Sequence, residues 1–508
     1  MIARKSVLII STNILDSILS AVALFFITRE IGAEGYGVVV FAIGFVTLFS
    51  IIGQLGFDYA HIKKVSEGKD LGKCIGTFFA IKLVFSGIMS VVLIGFILFW
   101  KNVMNRGFES SEHEIAIYII LIYQVIMLIT STFEVTFRAK MEIAKVQISY
   151  SLGVLSRVGT TIYVALAGYG PVALSITYIA GHIVQLIVSL LFFRGYQIKR
   201  PSFEYFKDYF MFSLPLIIVT ASAVIMTNID KVLIQLFWSD ANVGYYGAAF
   251  RISAFINMFT LSLGTLLFPT FSSLHANRDF RGIKKLVSQS ERYISMVVFP
   301  MVFGILILAV PFVNIFLSRS FSGSIPVLQI LPFFALFVAL EKPYETNFLG
   351  MNQPRIASYR IIIMVVINVF LNIVLIPKDI QLLGLKLAGL GETGAAIATV
   401  VAYFAGLIYS RMMAWKLNKI KGDSRVILHA IAAIIMALIL YVIFYKVYTI
   451  EIIARWYHLL GASFLGLGIY IGILFLLKEF TKKDFDFFLD TLNIKKMLTY
   501  VKDELSKK

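Results

Sequence analysis

Several polar and ionisable side chains stand inside long apolar segments, where a charge is costly unless it faces a cavity or a partner. Asn13, Asp16, Ser17 and Ser20 follow one another at helical spacing and form one polar stripe in the first apolar segment. The carboxylate and hydroxyl groups of this stripe could bind a cation or the hydroxyl groups of a substrate. Hydrogen bonding to a neighbouring helix is the alternative, and the sequence leaves both interpretations open.

Basic residues also lie within apolar segments, and three of them are candidate ligands: Arg157, Arg251 and Lys82. A guanidinium group is permanently charged and can bind a phosphate through two parallel hydrogen bonds, so Arg157 and Arg251 are candidate ligands of an anionic substrate in a cavity. Lys82 is a third candidate, with the alternative that its long side chain reaches the membrane surface. Asp230, beside Lys231, is either a cavity residue or half of an interfacial ion pair.

Two carboxylates flank a proline in a later apolar segment, because Glu341 and Glu345 stand on either side of Pro343. A proline frees a backbone carbonyl in a helix, and carboxylates beside it could coordinate a coupling ion, H+ or Na+. Asp16 is the other candidate for such an ion. Alternatively, Lys342 and the two glutamates form a salt-bridged kink. No motif for nucleotide, zinc or acyl-enzyme chemistry is recognisable, so we predict no enzyme activity, no cofactor and no metal.

The elements that must hold these residues are segments long enough to cross a bilayer. The chain has 508 residues, of which 59% are hydrophobic and 15% charged, and its mean hydropathy of +0.86 lies outside the soluble range. About fourteen segments reach the roughly 20 residues that a spanning helix needs. Backbone groups in lipid must be satisfied within a helix. The sequence therefore predicts an all-α polytopic membrane protein with about fourteen transmembrane helices.

The distribution of basic residues predicts the orientation. A net charge of +17 could indicate a nucleic-acid partner, but Lys and Arg concentrate in alternate loops, including Lys63–Lys69, Arg278–Lys285 and Lys416–Arg425. This is the positive-inside pattern of a membrane protein. We therefore predict a multi-pass protein of the cell (cytoplasmic) membrane, with both termini cytoplasmic and no nucleic-acid partner. The single cysteine, Cys74, excludes a disulfide within one chain.

Two short passages recur along the chain in the same order. Glu34–Gly37 is echoed by Val243–Gly247, and Leu166–Gly170 is echoed by Leu387–Gly391. Six predicted helices form each copy, and because six is an even number, both copies enter the membrane in the same direction. The sequence therefore predicts two parallel six-helix repeats, related by an axis along the membrane normal.

Two facing bundles around a central cavity that opens alternately to each side are typical of transporters. Beyond the repeats, the C-terminal tail alternates aromatic and charged residues, as an amphipathic helix on a membrane surface does. The predicted parts are a first six-helix bundle (1–200), a second six-helix bundle (201–420), two extra transmembrane helices (421–479) and a cytoplasmic amphipathic tail (480–508).

Six short motifs, taken in order, carry a resemblance that covers nearly the whole chain. They are Ile31–Gly37, Phe212–Pro215, Asn228–Lys231, Val243–Gly247, Phe348–Arg355 and Gly394–Ala398. With these motifs the chain resembles the polysaccharide-biosynthesis (Wzx-type) flippases of the multidrug/oligosaccharidyl-lipid/polysaccharide exporter superfamily. The resemblance implies a protein, functional as a monomer, that moves a polyprenyl-phosphate-linked oligosaccharide across the cytoplasmic membrane for surface glycan assembly.

The resemblance also implies roles for particular residues. In these flippases and in the similar lipid II flippases, a basic cavity holds the pyrophosphate and sugars, which implies Arg251 and Arg157 as ligands here. Asp16 occupies a stretch that is basic in the lipid II flippases, so a glycan lipid is favoured over a lipid II-type substrate. A cation-coupled multidrug antiporter, with Asp16 or Glu341 as its ion site, is the alternative from the same superfamily, and a non-transporting scaffold is another.

Overall fold

The computed structural model describes residues 2–103, 108–257, 267, 270–380, 384–481 and 484. Within them the chain is almost entirely helical, which confirms the predicted all-α class. The first eight helices are α1 (Ile2–Glu30), α2 (Gly32–Gln54), α3 (Phe57–Ser66), α4 (Leu71–Asn102), α5 (Ser111–Ala139), α6 (Ile143–Leu166), α7 (Pro171–Phe193) and α8 (Phe203–Phe237). The next eight are α9 (Asp240–Phe255), α10 (Phe280–Phe312), α11 (Ser324–Ile330), α12 (Pro332–Gly350), α13 (Pro354–Leu375), α14 (Gly391–Asn418), α15 (Arg425–Tyr441) and α16 (Trp456–Leu476).

Twelve helical segments of the described chain are long and apolar enough to cross a membrane. The predicted count of about fourteen includes two more. One is α6, whose 24 residues are long enough but include the polar and charged groups of the candidate site. The other is the predicted span 243–269, of which α9 covers the first part, while residues 258–266 and 268–269 lie outside the described residues. The count of fourteen therefore stays a prediction.

Helix starts follow local sequence signals. The Asp70 side chain accepts a hydrogen bond from the Lys73 backbone N–H at 2.9 Å and caps α4. Asp279 caps α10 in the same way, accepting from the Gly282 N–H at 2.8 Å. Each cap satisfies one of the backbone donors that a helix start leaves free. Proline begins α7, α12 and α13, where its missing N–H costs nothing.

The helices pack as two groups that meet along α2, α8 and α9. In the first group α1 packs against α6, α6 against α7, and α7 against α5. In the second, α10 packs against α12, α12 against α14, and α14 against α13. Helix α2 contacts α5 in the first group and both α8 and α9 in the second, while α15 and α16 pack beside α10. Residues of the two groups can therefore meet at the seam formed by α2, α8 and α9.

The two echoing glycine motifs pack against each other across this seam. A Cβ atom on Gly37 would lie 1.9 Å from the backbone oxygen of Asp240, and one on Gly244 would lie 2.2 Å from that of Ala33. No larger residue lets two helix backbones approach so closely. The recurring motifs thus hold α2 and α9 together at their N-terminal ends, the end of the molecule predicted to face outward.

The link between α13 and α14 and the C-terminal tail are the two remaining segments. Between α13 and α14, the short strands Asp379–Ile380 and Leu385–Lys386 pair antiparallel, with Asp379 opposite Lys386. These strands lie in the link between α13 and α14. The two predicted repeats differ in length at this link. The predicted amphipathic tail lies outside the described residues, apart from residues 480, 481 and 484.

Candidate functional site

The polar stripe of α1 faces α6. The Tyr150 hydroxyl donates a hydrogen bond to Asp16 Oδ2 at 2.8 Å, and Ser20 donates to Asp16 Oδ1 at 3.2 Å. Arg157 Nη2 lies 3.7 Å from Asp16 Oδ1 and donates to Ser20 Oγ at 3.3 Å. Asn13 lies one turn earlier on α1 and is partly buried. In this conformation the stripe makes helix–helix contacts, and its role in binding a cation or substrate stays a prediction.

Arg157 and Arg251 come together around one aromatic ring. The Cζ atom of Arg157 lies 5.5 Å from the centre of the Tyr178 ring. The Arg251 guanidinium lies beside the hydroxyl groups of Tyr178 and Tyr36, and among the described residues its interaction partners are these tyrosines rather than carboxylates. Both arginine side chains remain partly accessible. Because Arg157 belongs to the first group and Arg251 to the second, the two cations bracket the seam between them.

A cluster of rings extends the arginine pair into the first group. Tyr123 makes edge-to-face contacts with Tyr178, at 5.6 Å between ring centres, and with His182, at 4.6 Å. All three rings are partly accessible. Sequence reasoning did not single out these residues, since aromatic residues are common in membrane helices and no motif marks them. Tyr36 was within reach of such reasoning, because it stands inside the recurring glycine motif.

Asp230 lies in a separate buried network in the second group, where it is 1% exposed. Its carboxylate accepts hydrogen bonds from Thr399 Oγ1 at 2.9 Å, from the Tyr246 hydroxyl and from the Asn372 amide. The same Asn372 amide donates to Asn368 Oδ1 at 3.0 Å, while Asn372 Oδ1 is buried and has no hydrogen-bond partner in the described chain. Helices α8, α9, α13 and α14 thus assemble an oxygen-rich pocket around one carboxylate.

Two of the basic candidates have other partners. Lys231 Nζ donates to the Thr227 backbone oxygen at 2.8 Å and to Asn228 Oδ1 at 3.1 Å, so the Asp230–Lys231 ion pair is not formed in this conformation. Lys82 is 1% exposed, and its Nζ lies 2.6 Å from Asp58 Oδ1. The structure therefore does not bring Lys82 to the arginine pair, whereas Lys231 lies within electrostatic reach of Arg251.

Glu341 and Glu345 share one guanidinium group from α13. Arg360 Nη1 lies 3.1 Å from Glu341 Oε2, and Arg360 Nη2 lies 3.3 Å from Glu345 Oε1. Lys342 pairs with Glu345 at 2.6 Å, and Ser410 donates to Glu341 at 2.9 Å. In this conformation the glutamates form a salt-bridged cluster, and an ion site there stays a prediction. Arg360 was not selected from the sequence, although it too is a cation inside an apolar segment and the signal that marked Arg157 could have found it.

An apolar groove of about 760 Å³ lies between α10, α15 and α16. Its lining is almost entirely aliphatic and aromatic, with Met301, Gly304, Phe312, Met436 and Tyr470 among its residues. Other lining side chains on α16 are exposed at the surface of the molecule, so the groove is reached from the side of the helix bundle rather than from its interior. A surface groove of this composition, at the depth of spanning helices, suits an acyl or isoprenoid chain.

The fold, with twelve candidate spans among the described residues, is that of a multi-pass membrane protein. The fold is similar to a solved structure of the lipid II flippase MurJ in an inward closed conformation, with a TM-score of 0.74 and 14% identity over 92% of this chain and 98% of that chain. It is also similar to an inward-facing multidrug resistance MATE family transporter of the MOP superfamily, with a TM-score of 0.63 and 16% identity over 82% and 99% of the two chains. At these identities the likeness concerns the fold alone.

The family is shown at the level of sequence. The polysaccharide biosynthesis protein family model matches residues 26–326, and the chain belongs to this family. A curated relative, the probable low-salt glycan biosynthesis flippase Agl15 of Haloferax volcanii, is 23% identical over 405 residues, which cover 79% of this chain and 81% of that protein. The resemblance that the six motifs indicated is thereby confirmed.

Proposed function

We propose that this protein is a flippase that moves a polyprenyl-phosphate-linked oligosaccharide across the cytoplasmic membrane by alternating access, functioning as a monomer with both termini in the cytoplasm. One observation carries the proposal: Arg157 and Arg251, from different helix groups, flank the same Tyr178 ring. Family membership supports the polysaccharide pathway. The basic pair supports an anionic headgroup, and the apolar groove supports a long lipid chain.

The arginine pair suits a phosphate whose binding depends on the relative position of the two groups. A phosphate that contacts both guanidinium groups gains charge-assisted hydrogen bonds from each side of the seam. When the groups move apart, one of these contacts must lengthen, so the substrate binds the two conformations unequally. Only such a difference in affinity lets a ligand shift a conformational equilibrium. Asp16, which pairs with Arg157 in this conformation, is positioned to compete with the phosphate for that guanidinium group.

Deleting the gene tests the function as a whole. We expect loss of the surface glycan and accumulation of its lipid-linked precursor on the cytoplasmic side, because synthesis continues while translocation stops. Precursor and surface glycan are measured together by extraction and mass spectrometry, with the complemented strain as control. Unchanged surface glycan in a strain without a related gene would overturn the proposal, and efflux of ethidium in a pump-deficient host would favour the multidrug antiporter.

The groove between α10, α15 and α16 is proposed to hold the polyprenyl chain. Gly304 lies in the groove, and a Cβ atom there would meet no other atom within 4 Å, so a large side chain can fill the space without straining the backbone. We expect Gly304→Phe to lower export severalfold at normal protein abundance, because it occupies the space that the lipid needs.

The matched control is Gly468→Phe. Gly468 also has no atom near its Cβ position, but it does not line the groove. Export is measured beside membrane abundance for both variants. An equal loss of export for the two substitutions would argue against the groove as the site of the lipid chain.

We further propose that the coupling cation, H+ or Na+, binds at Asp230. The hydrogen-bond partners of this carboxylate are neutral hydroxyl and amide groups, and Lys231 lies within electrostatic reach without pairing with it. In the described chain, Asn372 Oδ1 is buried without a hydrogen-bond partner. Hard cations prefer oxygen ligands, and a buried carboxylate without a basic partner gains from a bound cation or proton. Asp16, Glu341 and Glu345, the candidates from the sequence, each have an arginine partner in this conformation. Among these four carboxylates, Asp230 is therefore the one with no ion-pair partner among the described residues.

A further inference from the structure

A cluster of three titratable side chains joins the two helix groups at the predicted outer end. His113, on the first turn of α5, is 1% exposed. Its Nδ1 lies 2.9 Å from Ser110 Oγ and its Nε2 lies 2.6 Å from Asp240 Oδ1. Asp240 begins α9, in the second group. With Glu109, just before α5, one ligand atom from each of the three side chains lies within 4.8 Å of the other two.

The cluster concentrates negative charge beside one imidazole. Within the described residues, the ion-pair partner of Asp240 is His113 alone. Partial loss of hydration raises the pKa of the Glu109 carboxyl group, and the nearby negative charge of Asp240 raises it further. Gln235 contacts Glu109, and its own Oε1 atom is buried without a hydrogen-bond partner in the described chain. Two carboxyl groups and an unpaired amide oxygen thus lie beside this imidazole, with no Lys or Arg partner among the described residues.

We propose that His113 Nε2 and one carboxylate oxygen each from Asp240 and Glu109 bind a divalent transition-metal ion of the Zn²⁺ class. Zn²⁺ commonly takes three protein ligands of these types and completes its tetrahedron with water. An imidazole ligand favours such an ion over Mg²⁺ or Ca²⁺, which prefer oxygen alone. In a tetrahedron with Zn–ligand bonds of about 2.0 Å, ligand atoms lie about 3.3 Å apart. The three atoms therefore reach that arrangement through small side-chain movements.

The surroundings of His113 suit a metal ligand in a second respect. A metal-bound histidine nearly always makes a hydrogen bond through its other ring nitrogen, which fixes the ring orientation. Ser110 provides this contact at Nδ1, and packing against the Phe41 ring, at 5.9 Å between ring centres, further restricts the imidazole. Nε2 is thereby directed at Asp240.

A bound ion would link the two helix groups at the predicted outer end, and we call this link the clasp. His113 and Glu109 belong to the first group and Asp240 to the second, beside the close contact between Gly37 and the Asp240 backbone oxygen. Opening of the predicted outer end must separate these residues. An ion that binds only the closed arrangement stabilises it by mass action and slows the transport cycle. This consequence rests on the proposed transport function, whereas metal binding itself does not.

Metal binding is tested on the purified full-length protein carrying an affinity tag without histidines. After equilibrium dialysis against Zn²⁺, elemental analysis should give one additional Zn²⁺ per wild-type chain relative to His113→Ala and to Asp240→Asn. Zn²⁺ should raise the melting temperature of the wild type, and Mg²⁺ should not. For Glu109→Gln, the same rise should require at least a tenfold higher Zn²⁺ concentration. Glu109 is exposed, so this variant is expected to fold normally.

Two substitutions outside the cluster serve as matched controls. Glu112→Gln changes an exposed glutamate on the same first turn of α5, and His458→Ala removes an exposed histidine at the start of α16. Both should bind Zn²⁺ as the wild type does. Equal zinc content in the wild type and His113→Ala, or equal losses in the controls, would overturn the proposed site.

The clasp is tested separately by transport. Zn²⁺ should slow export by wild-type protein in proteoliposomes severalfold, and Glu109→Gln should remove the inhibition. If Zn²⁺ binds at the cluster but transport is unaffected, the site stands and the clasp is overturned. If no glycan lipid is transported under any condition, the proposed function fails while the binding results remain valid.

Discussion

Arg251→Ala is expected to abolish glycan export while the amount of protein in the membrane stays near that of the wild type. Arg251 lies beside two tyrosine hydroxyl groups and forms no ion pair with the described residues, so its removal orphans no carboxylate among them. A phosphate would lose two charge-assisted hydrogen bonds, each worth about 1.5–3 kcal/mol, which corresponds to roughly a hundredfold or greater loss of affinity. Export and membrane abundance are measured in the same cells.

Two further variants separate binding geometry from charge. Arg251→Lys should restore little export, since an ammonium group is a point charge and cannot form the paired hydrogen bonds of a guanidinium group. Tyr36→Phe removes one hydroxyl partner but keeps the cation, so it should retain most of the export activity. Full activity of Arg251→Ala, or a loss of export that only follows a loss of protein, would contradict a ligand role for this arginine.

Asp230→Asn is expected to remove the dependence of transport on an ion gradient and to lower transport more than tenfold. Asparagine has nearly the same shape as aspartate, but its uncharged side chain cannot take up a proton and binds Na+ weakly. Folding should persist, because Thr399 and Tyr246 are hydroxyl groups that can turn to donate or accept a hydrogen bond. The three donors that now face the carboxylate would find partners again in the amide oxygen and in each other.

Transport by this variant is measured in proteoliposomes with imposed Na+ or pH gradients. Glu341→Gln is the matched control, since Glu341 is a buried carboxylate of the same group but has Arg360 as its partner. It should keep the gradient dependence of the wild type even where it lowers thermal stability. Gradient-driven transport by Asp230→Asn at the wild-type rate would exclude Asp230 as the cation site.

Much of the molecule could be predicted from local features of the chain. The lengths of the apolar segments led to the all-α membrane class, and ordered motifs led to the family that the family model confirms. The repeated Gly-Tyr passages also indicated two related halves, and in the structure these passages contact each other. Arg157 and Arg251 were each selected because a cation inside an apolar segment needs a partner.

The partners of these charges could not be predicted. Asp16 on α1 pairs with Arg157 on α6, with four helices between them in the chain. Glu341 on α12 pairs with Arg360 on α13, and Asp230 is held by Asn372 and Thr399 rather than by its neighbour Lys231. Helical spacing determines which residues share a face of one helix, but it does not determine which helix that face meets.

The sequence by itself determined the class of protein, because each membrane helix must satisfy its own backbone and cover itself with apolar side chains, and both requirements are local. The sequence also determined which membrane helices contain charged residues. Only the tertiary structure decided that Arg157 and Arg251 flank Tyr178, that His113 meets Asp240, and that a groove opens beside α16. Those contacts depend on how helices distant in sequence pack, and packing in a membrane follows from many small shape and hydrogen-bond terms that no single segment encodes.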